Sequence, residues 1–122
     1  MTCITSVDLD DTISSTPDAM RAICAGLRSQ GHEIHVVSGV RKGPAGPQDL
    51  KDKQALLTQL GFEKGRDYDQ LVAIGGPEKK VAAGKVNYMR HVGSTTLIDN
   101  DKRNVKAAQK AGFLAFRHMD PK

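Results

Sequence analysis

Acids close two apolar runs in this 122-residue sequence: Asp8-Leu9-Asp10-Asp11-Thr12 follows the first, and Asp99-Asn100-Asp101 ends a later one. Ser38-Gly39 closes a third run, and several lysines stand between the third run and the last acids. Carboxylates, a hydroxyl and an ammonium are the parts that phosphoryl transfer uses. A carboxylate can attack phosphorus and form an acyl-phosphate. An aspartate with an ordinary pKa near ~3.9 is already ionised at neutral pH, so its difficulty is meeting a phosphate of the same sign. A divalent cation bridging carboxylate and phosphate oxygens removes that conflict.

These residues matter only if the chain brings them together. Residues 3–9 read as a first strand, although Thr5 and Ser6 weaken the pattern. Thr16 and Pro17 open a helix as cap and first helical position, and Ala19, Met20, Ile23 and Leu27 recur at helical spacing up to Gly31. Residues 33–38 form a second strand, and a Gly- and Pro-rich loop runs from Val40 to Pro47. A helix over 49–60 follows, with Leu50, Leu56, Leu57 and Leu60 as its apolar face and Gly61 ending it. Residues 71–74 make a third strand, stopped by Gly75-Gly76-Pro77, and 78–91 a helix that Gly84 interrupts. A fourth strand over 95–99, a helix over 102–111 ended by Gly112, and a fifth strand over 113–116 complete the alternation.

Strands alternating with helices predict an α/β fold, a three-layer Rossmann-like arrangement with about five parallel strands. In such sheets ligands bind beyond the carboxyl ends of the strands. Asp8 and Asp10, Ser38 and Asp99 all fall at those ends. That coincidence is the main functional signal.

The bulk numbers narrow the class. The length suits one domain over residues 1–122, and no linker or repeat divides it. Aromatics are 4% with no Trp, so Ile, Val, Leu and Ala must build the core. No apolar run approaches the ~20 residues of a membrane span, and the first residues lack a signal peptide's basic start and apolar stretch. Cys3 and Cys24 are too few for a disulfide framework and read as small buried or partly buried hydrophobes. The expected location is cytoplasmic, with no membrane partner. A net charge of +4 suits an anionic substrate without indicating nucleic acid.

The run Val7-Asp8-Leu9-Asp10-Asp11-Thr12 resembles the first signature of the haloacid dehalogenase (HAD) superfamily, an apolar strand followed by DxDxT. Ser38 after Ile34-His35-Val36-Val37 resembles the second, Lys85 the third, and Leu97-Ile98-Asp99-Asn100-Asp101 the fourth. The four elements stand in the family's order across nearly the whole chain. The resemblance implies a magnesium-dependent phosphatase working through an aspartyl-phosphate. Asp8 would be the nucleophile and Asp10 the general acid and base. Lys85 would offset charge, with Lys79 and Lys80 competing for that role. Ser38, Gly39, Asp11 and Thr12 would surround the phosphate, Thr12 chiefly by ordering its loop. Mg2+ would rest on Asp8, the carbonyl of Asp10, and Asp99 or Asn100. The Asp99-Asn100 pair departs from the family's frequent pair of acids and leaves open which residue touches the metal. Asp101 is a nearby substitute, although it also reads as the cap of the next helix.

HAD enzymes usually carry a cap domain, and neither place for one is long enough here. The expected site is therefore open, either to a large substrate such as a polynucleotide end or to cover by another subunit in a homo-oligomer. The Val37-Ser38-Gly39-Val40-Arg41 loop and the uncapped core look, more loosely, like the phosphatase domain of polynucleotide kinase–phosphatases. Arg41, Lys42 and Arg103 then lie near the substrate, with Arg41 a weak candidate to bind it. The expected substrate is a nucleotide, a nucleic-acid 3′-phosphate or a small phosphorylated metabolite.

Two other readings compete. A receiver-like signalling domain would place its phosphorylated acid after the third strand, where Ile74-Gly75-Gly76 has none. A catalytically silent HAD-like interaction domain would have no need of an intact Asp8, Asp10, Lys85 and Asp99. A dinucleotide-binding fold lacks its GxGxxG. The four histidines show no ligand spacing and read as structural or exposed.

Overall fold

Strand β1 (Cys3–Val7) lies at the centre of a five-stranded, all-parallel sheet ordered β3-β2-β1-β4-β5, in a computed structural model that describes residues 3–40 and 43–119. The other elements are α1 (Pro17–Ser29), β2 (His32–Val40), α2 (Pro47–Gln59), β3 (Gln70–Gly75), α3 (Glu78–Val92), β4 (Thr96–Asp99), α4 (Lys102–Lys110) and β5 (Leu114–Arg117). The chain builds outward from β1 to β2 and β3, then returns to the other side of β1 for β4 and β5. This reversal opens a crevice between the carboxyl ends of β1 and β4.

Because the sheet is covered on both faces, its central strands read as continuous apolar runs rather than alternating ones. One face buries Val7, Ile34 and Val36 against Met20 and Cys24 of α1 and Leu57 of α2, with Phe62 and Tyr68. The other packs Leu97 and Ala115 against Val86 and Met89 of α3 and Val105 and Ala108 of α4. The arrangement is Rossmann-like, with three layers and no inserted cap among the described residues. No described helix is long and apolar enough to cross a membrane.

The polar residues that weakened the first strand are buried with partners. Thr5 Oγ1 meets His32 Nδ1 at 3.0 Å, and Ser6 Oγ meets Ser94 Oγ at 2.9 Å. These bonds satisfy the two hydroxyls, so polar side chains sit in a central strand that is paired on both sides. The strand itself stops at Val7, because the chain turns at Leu9–Ile13. In the second strand the ladder to β3 carries pairing two residues past Ser38, to Val40.

Other expectations need correction. Ile23 and Leu50, assigned to apolar helix faces, are exposed, and so is Cys3. Cys24 is buried, and burial pushes its thiol up to about 12. Thr16 starts α1 without a side-chain cap; its hydroxyl donates instead to Thr12 O at 3.1 Å and meets His118 Nε2 at 2.8 Å. Gly84 does not interrupt α3. A Cβ there would stand 2.5 Å from Ile74 Cγ2, so the glycine lets the helix lie close on β3.

Candidate active site

Asp8 follows directly on β1, and its backbone N–H donates to Ile98 O of β4 at 2.9 Å. That bond ties the ends of the two strands at the reversal point. Leu97 and Asp99, two apart on β4, share the face turned to α3 and α4. The side chain of Asp99 therefore meets Lys85 from α3, and Lys85 Nζ reaches Asp8 as well. The ammonium lies 2.8 Å from Asp8 Oδ1 and 2.7 Å from Asp99 Oδ2. All three groups are buried, with Lys85 only 1% exposed.

Removing three charges from water is costly unless each is paired and hydrogen-bonded. Here they are. Asp99 Oδ2 also accepts from Asn104 Nδ2 at 3.0 Å, and its Oδ1 accepts the Asp101 N–H at 2.9 Å. Asp8 Oδ2 accepts from Thr12 Oγ1 at 3.0 Å. Burial is the largest influence on Asp8 and, with the charge of Asp99, pushes its carboxyl up to about 6 although Lys85 pulls the other way. Burial would lower Lys85, but the two carboxylates more than offset it and hold the ammonium above its ordinary range.

The turn after Asp8 is built for bracing. Asp11 adopts the left-handed conformation at φ 61°, which Asp tolerates better than most residues. Its N–H donates to Ser14 Oγ at 2.8 Å, so this amide is committed to the loop rather than open to a phosphate. Thr12 is buried, and its hydroxyl accepts the Asn100 N–H at 3.0 Å while donating to Asp8. It clamps the ends of β1 and β4 together, and no bond of its hydroxyl remains for a phosphate. Asn100 Oδ1 lies 3.4 Å from the same hydroxyl.

Asp10 stands at the mouth with its side chain 49% exposed. Its Oδ2 accepts from Ser38 Oγ at 3.2 Å and from Lys53 Nζ at 2.5 Å. Gly39 lines the same cleft, and a Cβ there would meet Val81 Cγ1 at 2.9 Å. The cleft holds about 620 Å3 and opens between α2, α3 and the ends of β1, β2 and β4.

Asp8, Asp10, Ser38, Gly39, Lys85, Asp99 and Asn100 thus converge. Lys79 and Lys80 are exposed on α3, whereas Lys85 is the lysine that pairs with Asp8 and Asp99. Asp101 caps α4 by accepting the Arg103 N–H at 2.8 Å. Arg103 pairs with Glu78 at 2.9 Å, and Glu78 itself lines the cleft. Arg41 and Lys42 lie outside the described residues. His35 is buried against Tyr88 Oη at 2.6 Å, a structural role. Two residues of the site went unread in the sequence: Lys53, which looks like any solvent-face lysine of α2, and Asn104, whose neighbours are a helical run. Only the fold brings them to Asp10 and Asp99.

Among the described residues no three or more His, Cys, Asp or Glu side chains stand at metal-ligating separations. A cation here would depend on Asp8 with amide and backbone oxygens and water. Such a sparse all-oxygen set, completed by water, is how magnesium is commonly held. Asp99, whose two oxygens serve Lys85, Asn104 and the Asp101 amide, is the less available of the Asp99-Asn100 pair.

No family model matches the sequence, and no curated protein matches it. Solved structures do share the fold. An uncharacterized protein from Corynebacterium glutamicum is 14% identical with a TM-score of 0.62, over 98% of this chain and 86% of its own. A universal stress protein in complex with cAMP is 9% identical with a TM-score of 0.59, over 97% of each chain. A HAD family enzyme from Bacteroides thetaiotaomicron, solved with magnesium and inorganic phosphate, is 13% identical with a TM-score of 0.56. That match covers 87% of this chain but 54% of the enzyme, so the chain spans about half the enzyme's length. At these identities the likeness is one of fold.

Proposed function

We propose that this chain is a magnesium-dependent phosphomonoesterase of the HAD type, with Asp8 as its nucleophile. The observation that carries this reading is the buried carboxylate–ammonium–carboxylate arrangement of Asp8, Lys85 and Asp99 beneath an open cleft at the strand ends. The fold shared with an enzyme solved with magnesium and phosphate supports it. The substrate class is a nucleotide, a nucleic-acid 3′-phosphate or a small phosphorylated metabolite.

Magnesium would rest on Asp8, the Asp10 carbonyl and Asn100, and it would supply the positive charge that lets a carboxylate approach a phosphate. The chain's own residues do the rest. The Asp8 carboxylate attacks phosphorus while the bond to the leaving oxygen breaks. Asp10 gives that oxygen a proton, leaving an aspartyl-phosphate on residue 8. Asp10, now a carboxylate, takes a proton from the incoming water as it attacks phosphorus. Phosphate departs, and both aspartates return to their starting forms. Lys85 holds Asp8 in line and offsets charge on the transferring group. The backbone at Gly39 would meet the phosphate, while the buried Ser38 hydroxyl donates to Asp10 Oδ2 and steadies that carboxyl.

Phosphate release from an aryl phosphate, with and without magnesium, tests the reading. The wild-type protein is expected to turn over only with the metal, and Asp8→Asn to lose roughly a thousandfold or more. Undiminished activity in that variant would refute the nucleophile. A second reading, a silent nucleotide-binding domain, draws on the likeness to a universal stress protein in complex with cAMP, which covers more of both chains than the match to the HAD enzyme. Measurable nucleotide binding without turnover on any phosphomonoester would favour it.

A further inference from the structure

Asp10 must present a carboxyl oxygen to the leaving group, yet half its side chain is exposed and its backbone lies in a turn. An exposed aspartate samples several rotamers unless something holds it. Two groups do: Ser38 Oγ at 3.2 Å and Lys53 Nζ at 2.5 Å. Both contacts fall on Oδ2. Among the described residues nothing donates to Oδ1, so that is the oxygen left to exchange a proton with a substrate. The lysine contact is short and charge-assisted, the stronger kind of hydrogen bond. Its side chain is also 18% exposed, which lifts it above an ordinary surface ion pair.

We propose that Lys53 is a positioning residue: from α2 it grips Oδ2 of Asp10 and so aims Oδ1 at the leaving oxygen. This inference rests on the phosphatase reading above. Nothing in the sequence marks Lys53, because it sits in the charged run Lys51-Asp52-Lys53. The fold lifts it out by laying α2 along the cleft, where Asp49, Lys53 and Leu56 form one wall. Small misplacements of a proton-transfer group cost large factors in rate. The cost depends on the leaving group. A nitrophenolate departs with little protonic help, whereas an alkoxide needs the proton during bond breaking.

The test compares p-nitrophenyl phosphate with an alkyl phosphate such as glycerol phosphate, in the wild-type protein, Lys53→Met and Lys53→Arg, all with magnesium. Lys53→Met is expected to lower kcat/KM, which reports cleavage of the ester and not the later hydrolysis of the aspartyl-phosphate common to both substrates, about thirtyfold on the alkyl ester and less than about threefold on the aryl ester. Lys53→Arg, which can still grip Oδ2, is expected to restore most of the alkyl rate. Equal losses on both esters would mean a merely structural role and overturn the inference. So would a rise in KM with kcat unchanged, which would make Lys53 a simple phosphate binder. A wild-type protein that turns over neither ester overturns the phosphatase reading itself, and the role of Lys53 with it.

Discussion

At the scale of single residues, the cost of the site is concentrated in Asp8. Its carboxyl titrates at about 6 in the folded, metal-free protein, against 3.8 for the unfolded reference. The folded state therefore binds the proton more tightly than the unfolded state. Stability contributed by this group is greatest at low pH and declines as pH rises from 3.8 through about 6, then levels off. The rise from 3.8 to about 6 corresponds to roughly 3 kcal/mol lost on ionisation. Asparagine has the shape of the protonated carboxyl and no charge to bury. Asp8→Asn should therefore be more stable than the wild type in chelator at pH 8, by up to ~3 kcal/mol. The advantage should shrink as pH falls below 6. Thermal melts of both proteins across that range would check it, and a wild type that is the more stable at pH 8 would show that the Lys85 pair outweighs burial.

At the scale of elements, α3 must carry Lys85 to a point beneath the strand ends, and its height above the sheet is set at Gly84. A methyl group there would stand 2.5 Å from Ile74 Cγ2, on the branched stem of a strand residue. Alanine is the better helix former by about 1 kcal/mol, so helix propensity alone predicts a gain for Gly84→Ala. Overpacking predicts a net loss of roughly 1–2 kcal/mol, because β3 or the helix must shift. The midpoint of denaturant unfolding distinguishes the two, and a higher midpoint would refute the packing account. The same glycine shows where reading the sequence stops. Alternation of apolar runs with Gly31, Gly61 and Gly112 made the strand–helix order legible, and acids at strand ends made Asp8 and Asp99 legible. A glycine within a helix looks the same whether it breaks the helix or lets it approach a sheet. Lys53 and Asn104 were hidden for a related reason: their partners lie 43 and 5 residues away across a turn of the fold, and neither spacing is periodic. The exposure of Ile23 and Leu50 was unreadable too, since periodicity gives a helix its face but not how far the sheet extends beneath it.

At the scale of the molecule, charge is segregated. The chain carries +4 overall, yet eight of the described residues lining the cleft are Asp or Glu and two are lysine. Both lysines are already engaged, Lys85 with Asp8 and Asp99 and Lys53 with Asp10. Folding gathers these acids from the turn after β1, from α2, from the start of α3 and from the end of β4, so the native state pays a repulsion that the unfolded chain, with its acids dispersed, escapes. A cation that binds only the folded arrangement relieves that cost and stabilises by mass action. At a hundredfold excess over its Kd, magnesium should add ~2.7 kcal/mol, or roughly 10 °C in Tm for a chain of this size. The shift should follow magnesium concentration at constant ionic strength, which separates binding from general screening. It should fall sharply in Asp8→Asn, because that variant removes the one carboxylate in the proposed ligand set and with it most of the attraction for the ion. Differential scanning fluorimetry over a magnesium series, with potassium chloride balancing the salt, makes the comparison. A Tm indifferent to magnesium in the wild type would remove the cation from the site, and with it the means by which the Asp8 carboxylate could approach a phosphate.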